Sequence, residues 1–214
     1  MPAQEDQLER YRDELLSWNQ RVNLTAIRTP AGVDELHFLD SLACLLAGFA
    51  QGDSVLDVGA GGGFPGLPLK IARPDLSLTL LESTGKKARF LEHVVAALGL
   101  AEVRIVNDRA ETFAGRDAFD VVVARALGPL PVLLELTLPF TRAGGRVLAM
   151  KKGAGLTLEI ASARRALELL GGELDAPVSY ELGDEERQIV VVRKARPTPA
   201  VFPRRPGMPA KNPL

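Results

Sequence analysis

The chain has very few of the residues that bind metals or form covalent cross-links. Its 214 residues include one cysteine, Cys44, and two histidines. A single cysteine excludes an internal disulfide, and together with two histidines it makes a zinc site a poor explanation of the sequence. Cys44 stands in the apolar run 41–49, which predicts a buried and inert thiol. We therefore expect a protein without a metal.

Long apolar runs are also missing. No run reaches the roughly 18 residues that a membrane-spanning helix needs. The stretch 1–10 is acidic and polar, unlike a secretory signal. Aromatic residues are scarce, at 5%, but a hydrophobic content of 46% is enough for a substantial core in one medium-sized domain. These features predict a globular protein located in the cytoplasm.

Acidic residues are absent from the end of the chain. From Arg193 to Leu214 there are six lysines or arginines and no acid, although the whole chain has a net charge of −1. The tail 196–214 is rich in proline, which predicts an extended segment without regular structure. Such a basic tail is a candidate contact for a polyanion, and a merely solvated C-terminus is the alternative.

The rest of the chain alternates between strand and helix patterns. Strands are predicted at 55–58, 76–81, 103–106, 119–124 and 146–150, with helices between and after them at 67–72, 86–98, 129–140 and 156–170. This alternation is typical of an α/β fold with a parallel sheet and helices on both faces. The segments 174–182 and 187–193 resemble a hairpin that adds one antiparallel strand at the edge.

Two further helices are predicted before the sheet, at about 4–20 and 31–48. They cannot belong to the sheet, so we interpret residues 1–50 as a helical cap beside the ligand cleft. Residues 51–195 then form the sheet domain and 196–214 the tail. We expect the three parts to form a single globular unit.

A glycine-rich loop after the first predicted strand is the most informative stretch. The strand 55–58 leads into five glycines between Gly59 and Gly66. Such a turn brings backbone N–H groups against a ligand, because glycine accepts positive φ and has no Cβ. Asp57 would repel a pyrophosphate but suits a ligand with ammonium and sulfonium groups. The loop, with Asp57, Gly59 and Gly61, therefore favours S-adenosylmethionine (SAM).

Two more loops are expected beside this one, because ligands of doubly wound sheets bind at the carboxyl ends of the central strands. Glu82 follows the second strand and can accept hydrogen bonds from the hydroxyls of a ribose, with Ser83 and Thr84 beside it. The segment 107–111 follows the third strand, where it can meet the edge of an adenine.

A dinucleotide site is the alternative for the glycine loop. The segment 61–66 satisfies the pattern G-x-G-x-x-G, and Glu82 follows about 20 residues later, as that fingerprint requires. In a dinucleotide site the first glycine of the pattern ends the strand directly, whereas here Gly59 ends it and the pattern begins two residues late. Asp57 and Pro65 also fit a methyltransferase loop better, so SAM remains the favoured cofactor.

The motifs together resemble the RsmG family, also called GidB or glucose-inhibited division protein B. The matching pieces are W-N at 18–19, N-L-T at 23–25, H-F-L-D-S-L at 37–42, D-V-G-A-G-G-G-F-P-G at 57–66, L-E-S at 81–83, K-K at 86–87, F-L at 90–91, R-A-E at 109–111, R-A at 125–126, K-K-G at 151–153 and the ending 202–214. The resemblance covers nearly the whole chain. It implies the Rossmann-like, seven-stranded fold of class I SAM-dependent methyltransferases.

The resemblance also implies a reaction, which is methyl transfer from SAM to N7 of a guanosine in 16S, or small-subunit, ribosomal RNA. The cofactor residues that it implies are Gly59, Phe64, Glu82, Ser83, Thr84, Ala110, Glu111 and Arg125. For Glu111, capping of the chain is the alternative to adenine contact. Leu36 departs from the family, where arginine often stands, and Lys151 with Lys152 could supply that charge.

Guanine N7 is an unprotonated ring nitrogen, so its methylation requires no general base and depends on positioning and electrostatics. We predict that Arg125 positions the guanine or its phosphate. His37 and Lys151 are further candidates for the catalytic site, although His37 could instead pack its helix with Asp40. The implied partner is small-subunit RNA, a 30S subunit or an assembly intermediate, bound by a monomer. An RNA-binding assembly module that retains SAM only as a structural ligand is the second hypothesis.

Overall fold

A computed structural model describes residues 2–214. The strands of this range are β1 (Ser54–Val58), β2 (Ser77–Leu81), β3 (Val103–Val106), β4 (Phe119–Arg125), β5 (Thr141–Lys152), β6 (Gly172–Leu174), β7 (Val178–Leu182) and β8 (Glu185–Lys194). The α-helices are α1 (Pro2–Asn19), α2 (Pro30–Val33), α3 (Asp40–Leu42), α4 (Gly66–Ala72), α5 (Gly85–Ala97), α6 (Leu130–Glu135), α7 (Leu156–Ser162), α8 (Arg164–Leu170) and α9 (Met208–Lys211).

All strands belong to one sheet with the order β3-β2-β1-β4-β5-β8-β6, and β7 also pairs with β8. Strands β1 to β5 are parallel, whereas β8 runs antiparallel to β5. β6 and β7 pair with opposite ends of β8, so eight strands fill seven positions. The predicted α/β plan is confirmed, but the antiparallel strand lies one position inside the edge, because β6 and β7 cover it.

The side chains of the central strands alternate between two cores, one on each face of the sheet. Val55 and Val121 pack with α1, α4 and α5, whereas the next residues along, Leu56 and Val122, pack with α6, α7 and α8. This is the period of two that a strand imposes on its side chains. Both faces are covered, which explains why these strands are apolar almost throughout.

The N-terminal helices pack on the first face of the sheet. Tyr11 and Leu15 of α1 are completely buried in that core. The predicted second helix is present but irregular: a π-helical turn, Asp34–Leu39, separates α2 from α3, and a 3₁₀ turn, Ala43–Ala47, ends it. The π-helical turn contains His37 and directs it inward, since its side chain is buried.

The C-terminal tail differs from the expectation. It includes the short helix α9, so the prediction of no regular structure is wrong for Met208–Lys211. Phe202 and Pro209 are buried, and Leu214 packs against the second core. The tail is therefore part of the folded domain, because these three side chains pack on it, although most of the tail's prolines are exposed.

Two predicted helices are also shorter than expected. The segment 129–140 is α6 followed by a 3₁₀ turn, Leu138–Phe140, and the segment 156–170 divides at Ala163 into α7 and α8. Within residues 2–214, no helix is both long enough and apolar enough to cross a membrane.

Candidate active site

The glycine loop is held to the neighbouring strand by its own backbone. Gly59 and Ala60 both donate N–H hydrogen bonds to the carbonyl oxygen of Leu81, at 2.8 and 3.1 Å. Gly59 has φ +73°, and a Cβ at this position would lie 2.8 Å from a methyl carbon of Leu127. Glycine alone accepts this positive φ and has no Cβ to collide with Leu127. The backbone of the loop is therefore not covered by a side chain at this position.

Glu82 connects three loops at the carboxyl edge of the sheet. Its Oε2 accepts a hydrogen bond from the N–H of Gly61 at 2.9 Å, and its Oε1 accepts one from the N–H of Thr84 at 2.7 Å. Asn107 donates its side-chain amide to the carbonyl oxygen of Glu82 at 2.7 Å. Each carboxylate oxygen retains a further lone pair, so Glu82 can still accept hydrogen bonds from ligand hydroxyls.

Asp57 lies completely buried beneath the loop. Its Oδ2 accepts a hydrogen bond from the N–H of Gly66 at 2.8 Å, which ties β1 to the start of α4. Its Oδ1 has no hydrogen-bond partner among the described residues. Burial raises the pKa of Asp57 to about 7, against the opposing effects of the Gly66 N–H and the Arg125 charge. A buried carboxylate with one free oxygen fits a ligand that carries positive charge.

A cavity of about 190 Å³ opens beside this loop. We name it the adenosine cavity, after the part of the predicted cofactor that we expect it to hold. It is formed by Val58, Gly59, Leu81, Ser83, Asp108, Arg109, Ala110, Glu111, Leu127, Val132, Leu136, Gly207, Pro209 and Ala210. The structure thus brings together four of the predicted cofactor residues from the ends of β1, β2 and β3. The other predicted cofactor residues are not among those that line it: Asp57, Gly61, Phe64, Glu82, Thr84 and Arg125.

Phe64 instead joins the loop to the N-terminal helices. Its buried ring stacks on Tyr11, with 5.4 Å between ring centroids, and on His37, with 4.4 Å. The guanidinium carbon of Arg125 lies 5.1 Å from the centroid of the same ring. Phe64 therefore supports His37 and Arg125 from below, and a cation–π contact favours the arginine in this place.

Arg125, the last residue of β4, is held almost entirely by the helical segment that precedes the sheet. Its Nη1 donates to the carbonyl oxygen of Leu36 at 3.1 Å and to Oδ2 of Asp40 at 2.9 Å. Its Nη2 donates to Nδ1 of His37 at 2.9 Å. An arginine has more N–H donors than these three contacts use, so it can still donate to a substrate.

The contact with Arg125 determines the protonation of His37. A guanidinium cannot accept a hydrogen bond, so Nδ1 of His37 is the acceptor and Nε2 carries the proton. That Nε2–H donates to Oγ1 of Thr25 at 2.7 Å. Burial and the Arg125 charge lower the pKa of His37 to about 4. His37 is thus neutral at pH 7 and orients Arg125, which makes it a positioning residue.

Asn19 forms the turn that places Thr25. Its Oδ1 accepts from the N–H groups of Leu24 and Thr25 at 2.9 and 3.1 Å, and its Nδ2 donates to the carbonyl oxygen of Thr25 at 2.9 Å. In the sequence this stretch was recognised only as a matching motif, and its connection to His37 was missed. The spacing of Asn19 from the N-L-T segment was the available signal, since asparagine readily bonds nearby backbone.

Asp40 is the centre of the charges on this side. It is 2% exposed and accepts hydrogen bonds from three residues: from Arg125, from Nη1 of Arg187 at 2.9 Å and from the hydroxyl of Tyr180 at 2.8 Å. Burial, followed by the Asp40 charge, raises the pKa of Tyr180, which stays a neutral donor. Sequence reasoning missed Tyr180 and Arg187, because β7 and β8 are far from Asp40 along the chain.

These residues border a second cavity of about 510 Å³, which we name the acceptor cavity. It is lined by Ile27, Leu36, His37, Asp40, Arg125, Ala126, Met150, Lys151, Lys152, Tyr180 and Arg187. Lys151 donates to the carbonyl oxygen of Gly128 at 2.7 Å and to Glu159 at 2.6 Å, so its charge is compensated. Lys152 is more exposed and lies 3.3 Å from Glu185.

The two cavities lie side by side at the end of β4. Ala126 lines the acceptor cavity and the next residue, Leu127, lines the adenosine cavity. Consecutive residues just after β4 therefore border both cavities. Two ligands held in adjacent cavities are what a group transfer between them requires.

Comparison with known proteins identifies the family. A family model described as "GidB: rRNA small subunit methyltransferase G" matches residues 4–190. The chain belongs to this family. A "Ribosomal RNA small subunit methyltransferase G" of Chloroflexus aggregans is 49% identical, over 97% of this chain and 89% of that protein. A protein of the same name from Roseiflexus sp. is 48% identical, over 98% and 91%.

Membership of the rRNA small subunit methyltransferase G family confirms the predicted enzyme class, a SAM-dependent methyltransferase of ribosomal RNA. Solved structures agree on the fold. A SAM-dependent methyltransferase from Aquifex aeolicus superposes with a TM-score of 0.57 at 19% identity, covering 75% of this chain and 92% of that one. TYW2 of M. jannaschii in complex with AdoMet gives a TM-score of 0.58 at 13% identity, covering 74% and 75%.

Proposed function

We propose that this enzyme transfers the methyl group of SAM to N7 of a guanosine in small-subunit ribosomal RNA. The observation that carries the proposal is the pair of adjacent cavities at the end of β4. The adenosine cavity takes the nucleoside part of the cofactor, and the acceptor cavity takes the guanosine. An enzyme with this RNA substrate works in the cytoplasm.

The cofactor residues follow from the chemistry of each part of SAM. Glu82 accepts the ribose hydroxyls, Ser83 and Ala110 border the base, and Gly59 admits the ligand close to the backbone. Asp57 lies beneath the loop with an unpartnered Oδ1, and a nearby positive charge on the ligand favours the ionised form of its carboxyl. When bound, SAM provides the methyl group as an electrophile on its sulfonium.

The residues of the acceptor cavity fit a reaction in which no proton is removed from the nucleophile. His37 is neutral and its Nδ1 is occupied by Arg125, while Asp40 is occupied by two arginines and a tyrosine. Neither is a free base, and N7 of guanine needs none. Arg125 and Arg187 are held by Asp40 in fixed positions, from which their remaining donors can bind O6 of guanine or a phosphate.

The substrate of the enzyme is small-subunit ribosomal RNA, either alone or within a small subunit or an assembly intermediate. Lys152 is exposed at the rim of the acceptor cavity, where it can exchange its surface ion pair with Glu185 for a contact with a phosphate. Arg205 and Lys211, both exposed, add positive charge from the tail beside the adenosine cavity. Cations spread over this edge can contact several phosphates at once, as binding to a folded RNA requires.

The test is methyl transfer from labelled SAM to small subunits isolated from a strain that lacks this gene, with the modified base mapped. Label at N7 of one guanosine is the expected result. Arg125→Ala should lower the rate by at least about 100-fold, as expected when a group that orients the reactants is lost. Arg142→Ala is the matched control, since Arg142 is an exposed arginine paired with Asp120 outside both cavities.

Two outcomes would contradict parts of the proposal. Full methyl transfer by Arg125→Ala would exclude the proposed role of that residue. SAM binding without transfer to any ribosomal RNA would instead favour an assembly module that retains the cofactor as a structural ligand. A thermal melt of each variant must accompany the assay, because Arg125 pairs with the buried Asp40 and its loss lowers stability.

A further inference from the structure

The C-terminal tail, residues 196–214, reaches the adenosine cavity. Gly207, Pro209 and Ala210 line that cavity together with Gly59 of the glycine loop. Pro209 is buried, whereas Ala210 is exposed on its outer side. A segment that the sequence suggested as an RNA contact therefore forms part of a small-molecule site.

Hydrogen bonds from two arginines hold the tail against the sheet domain. Arg116 donates to the carbonyl oxygens of Thr198, at 3.0 Å, and Phe202. Arg204 donates from its backbone N–H and Nε to Oε1 of Glu135, at 2.9 and 2.8 Å, and from Nη2 to Oε2 at 2.7 Å. Glu135 lies in α6 and is completely buried, so its charge needs this arginine.

The final contact joins the tail directly to a predicted cofactor residue. The N–H of Gly207 donates to Oε1 of Glu111 at 3.0 Å, and Oε2 of Glu111 lies 3.6 Å from Arg109. The Glu111 side chain is only 8% exposed. Its carboxylate thus holds the tail against the same loop, 108–111, that borders the cavity.

We infer that the segment 207–210 is a wall of the cofactor site and retains SAM by covering the base of its adenosine. The inference rests on the proposed function, which assigns this cavity to the adenosine. Pro209 and Ala210 supply an apolar surface for one side of the purine, and the glycine loop with Ala110 supplies the opposing surfaces. Covering a purine in this way removes apolar surface from water and slows its release.

Hydrogen–deuterium exchange on the unaltered protein tests the inference. Amides of Lys211 and Asn212 bond to the carbonyl oxygens of Gly207 and Met208. Saturating SAM should slow exchange several-fold in peptides covering 203–214 as well as in the loop 57–66. The turn 183–184 is the internal control, since it is exposed between β7 and β8, outside the adenosine cavity, and should not change.

Protection of the loop 57–66 without protection of the tail would overturn the inference and leave the proposed function intact. No protection in either segment, with no binding measured by calorimetry, would contradict both. The two failures are therefore distinguishable in one experiment.

A pair of variants tests the wall without disturbing the buried anchors. Ala210→Trp places a large side chain at a position that lines the cavity and should raise the Kd of SAM about tenfold. Asn212→Trp, two residues later, adds the same side chain at an exposed position outside the cavity and should leave the Kd unchanged. Thermal melts confirm that both variants fold. An unchanged Kd in Ala210→Trp would overturn the inference.

Discussion

Asp57 is a single residue whose ionisation opposes the stability of the fold. Its carboxyl is completely buried, and burial raises its pKa from 3.8 to about 7. A raised pKa in the folded state means that the protonated form is favoured there. The associated stabilisation is complete below pH 4 and is lost as the pH rises towards and through 7.

We predict that Asp57→Asn removes this pH dependence in the ligand-free protein. The asparagine amide oxygen can still accept the hydrogen bond from Gly66, but it cannot ionise. Urea unfolding between pH 4.5 and pH 8, values chosen to span the titration, should show a smaller decrease in the free energy of unfolding for the variant. An equal decrease in both proteins would show that Asp57 does not titrate in this window.

Substitution of Gly59 by alanine tests whether the glycine loop tolerates one added Cβ atom. Gly59 and Gly52 have nearly the same backbone, with φ +73° and +75°, but only a Cβ at Gly59 would meet a neighbour, Leu127 at 2.8 Å. Both alanine variants therefore carry the same backbone strain, about 1 kcal/mol. Gly59→Ala should also lose SAM binding by at least about tenfold, and Gly52→Ala should not.

Isothermal titration with SAM measures this difference directly. Similar losses of affinity in Gly59→Ala and Gly52→Ala would show that general strain, and not the closed space beside Leu127, is responsible.

The N-terminal segment acts as an element that orients Arg125. Asn19 forms the turn, Thr25 binds His37, and His37 accepts from Arg125. Because these contacts follow one another, the turn at Asn19 positions His37, and His37 positions Arg125 at the end of β4. The irregular π-helical turn around His37 belongs to the same arrangement.

We predict that Asn19→Ala lowers the free energy of unfolding by about 1 kcal/mol, because it leaves half-buried backbone groups of Leu24 and Thr25 without their partner. It should also lower kcat for methyl transfer while the Kd of SAM changes little, since the adenosine cavity contains no residue of this segment. Asn23→Ala is the matched control, because Asn23 is exposed and makes no side-chain hydrogen bond among residues 2–214.

Equilibrium unfolding and single-turnover assays of Asn19→Ala and Asn23→Ala separate the two effects. A normal kcat in a destabilised Asn19→Ala protein would mean that the turn supports the fold but does not orient Arg125.

At the scale of the whole molecule, most basic groups near the end of the chain serve the fold. Lys194 is 1% exposed beside Asp117, Arg193 pairs with Glu173, and Arg204 pairs with Glu135. Among residues 2–214, Arg205 and Lys211 are exposed and make no side-chain ion pair. The basic tail therefore offers fewer contacts to RNA than its composition suggested.

We predict that replacing Arg205 and Lys211 with alanine weakens RNA binding and reduces its dependence on salt. Each lost phosphate contact should lower the slope of log K against log salt by about 0.7–0.9. Arg193→Ala is the control, since Arg193 is already paired with Glu173. Filter binding to small-subunit RNA at several salt concentrations measures the slope, and an unchanged slope would exclude the tail from the RNA interface.

The sequence alone was sufficient for the features that depend on nearby residues. Strand and helix periodicity predicted the parallel sheet, and it placed the glycine loop and Glu82 correctly at the ends of β1 and β2. These signals are local, since a turn needs its glycines and a strand needs its alternation within a few residues. The ordered motifs also identified the family.

Only the tertiary structure brought Asp40 together with Tyr180 and Arg187, which are 140 and 147 residues away. It also placed β8 inside the edge of the sheet and the tail at the adenosine cavity. No local pattern encodes such contacts, because they exist only after the sheet closes and buried charges find partners. For the same reason the composition of the tail did not reveal the role of Arg204. Its guanidinium is bound to the buried Glu135 and stabilises the fold.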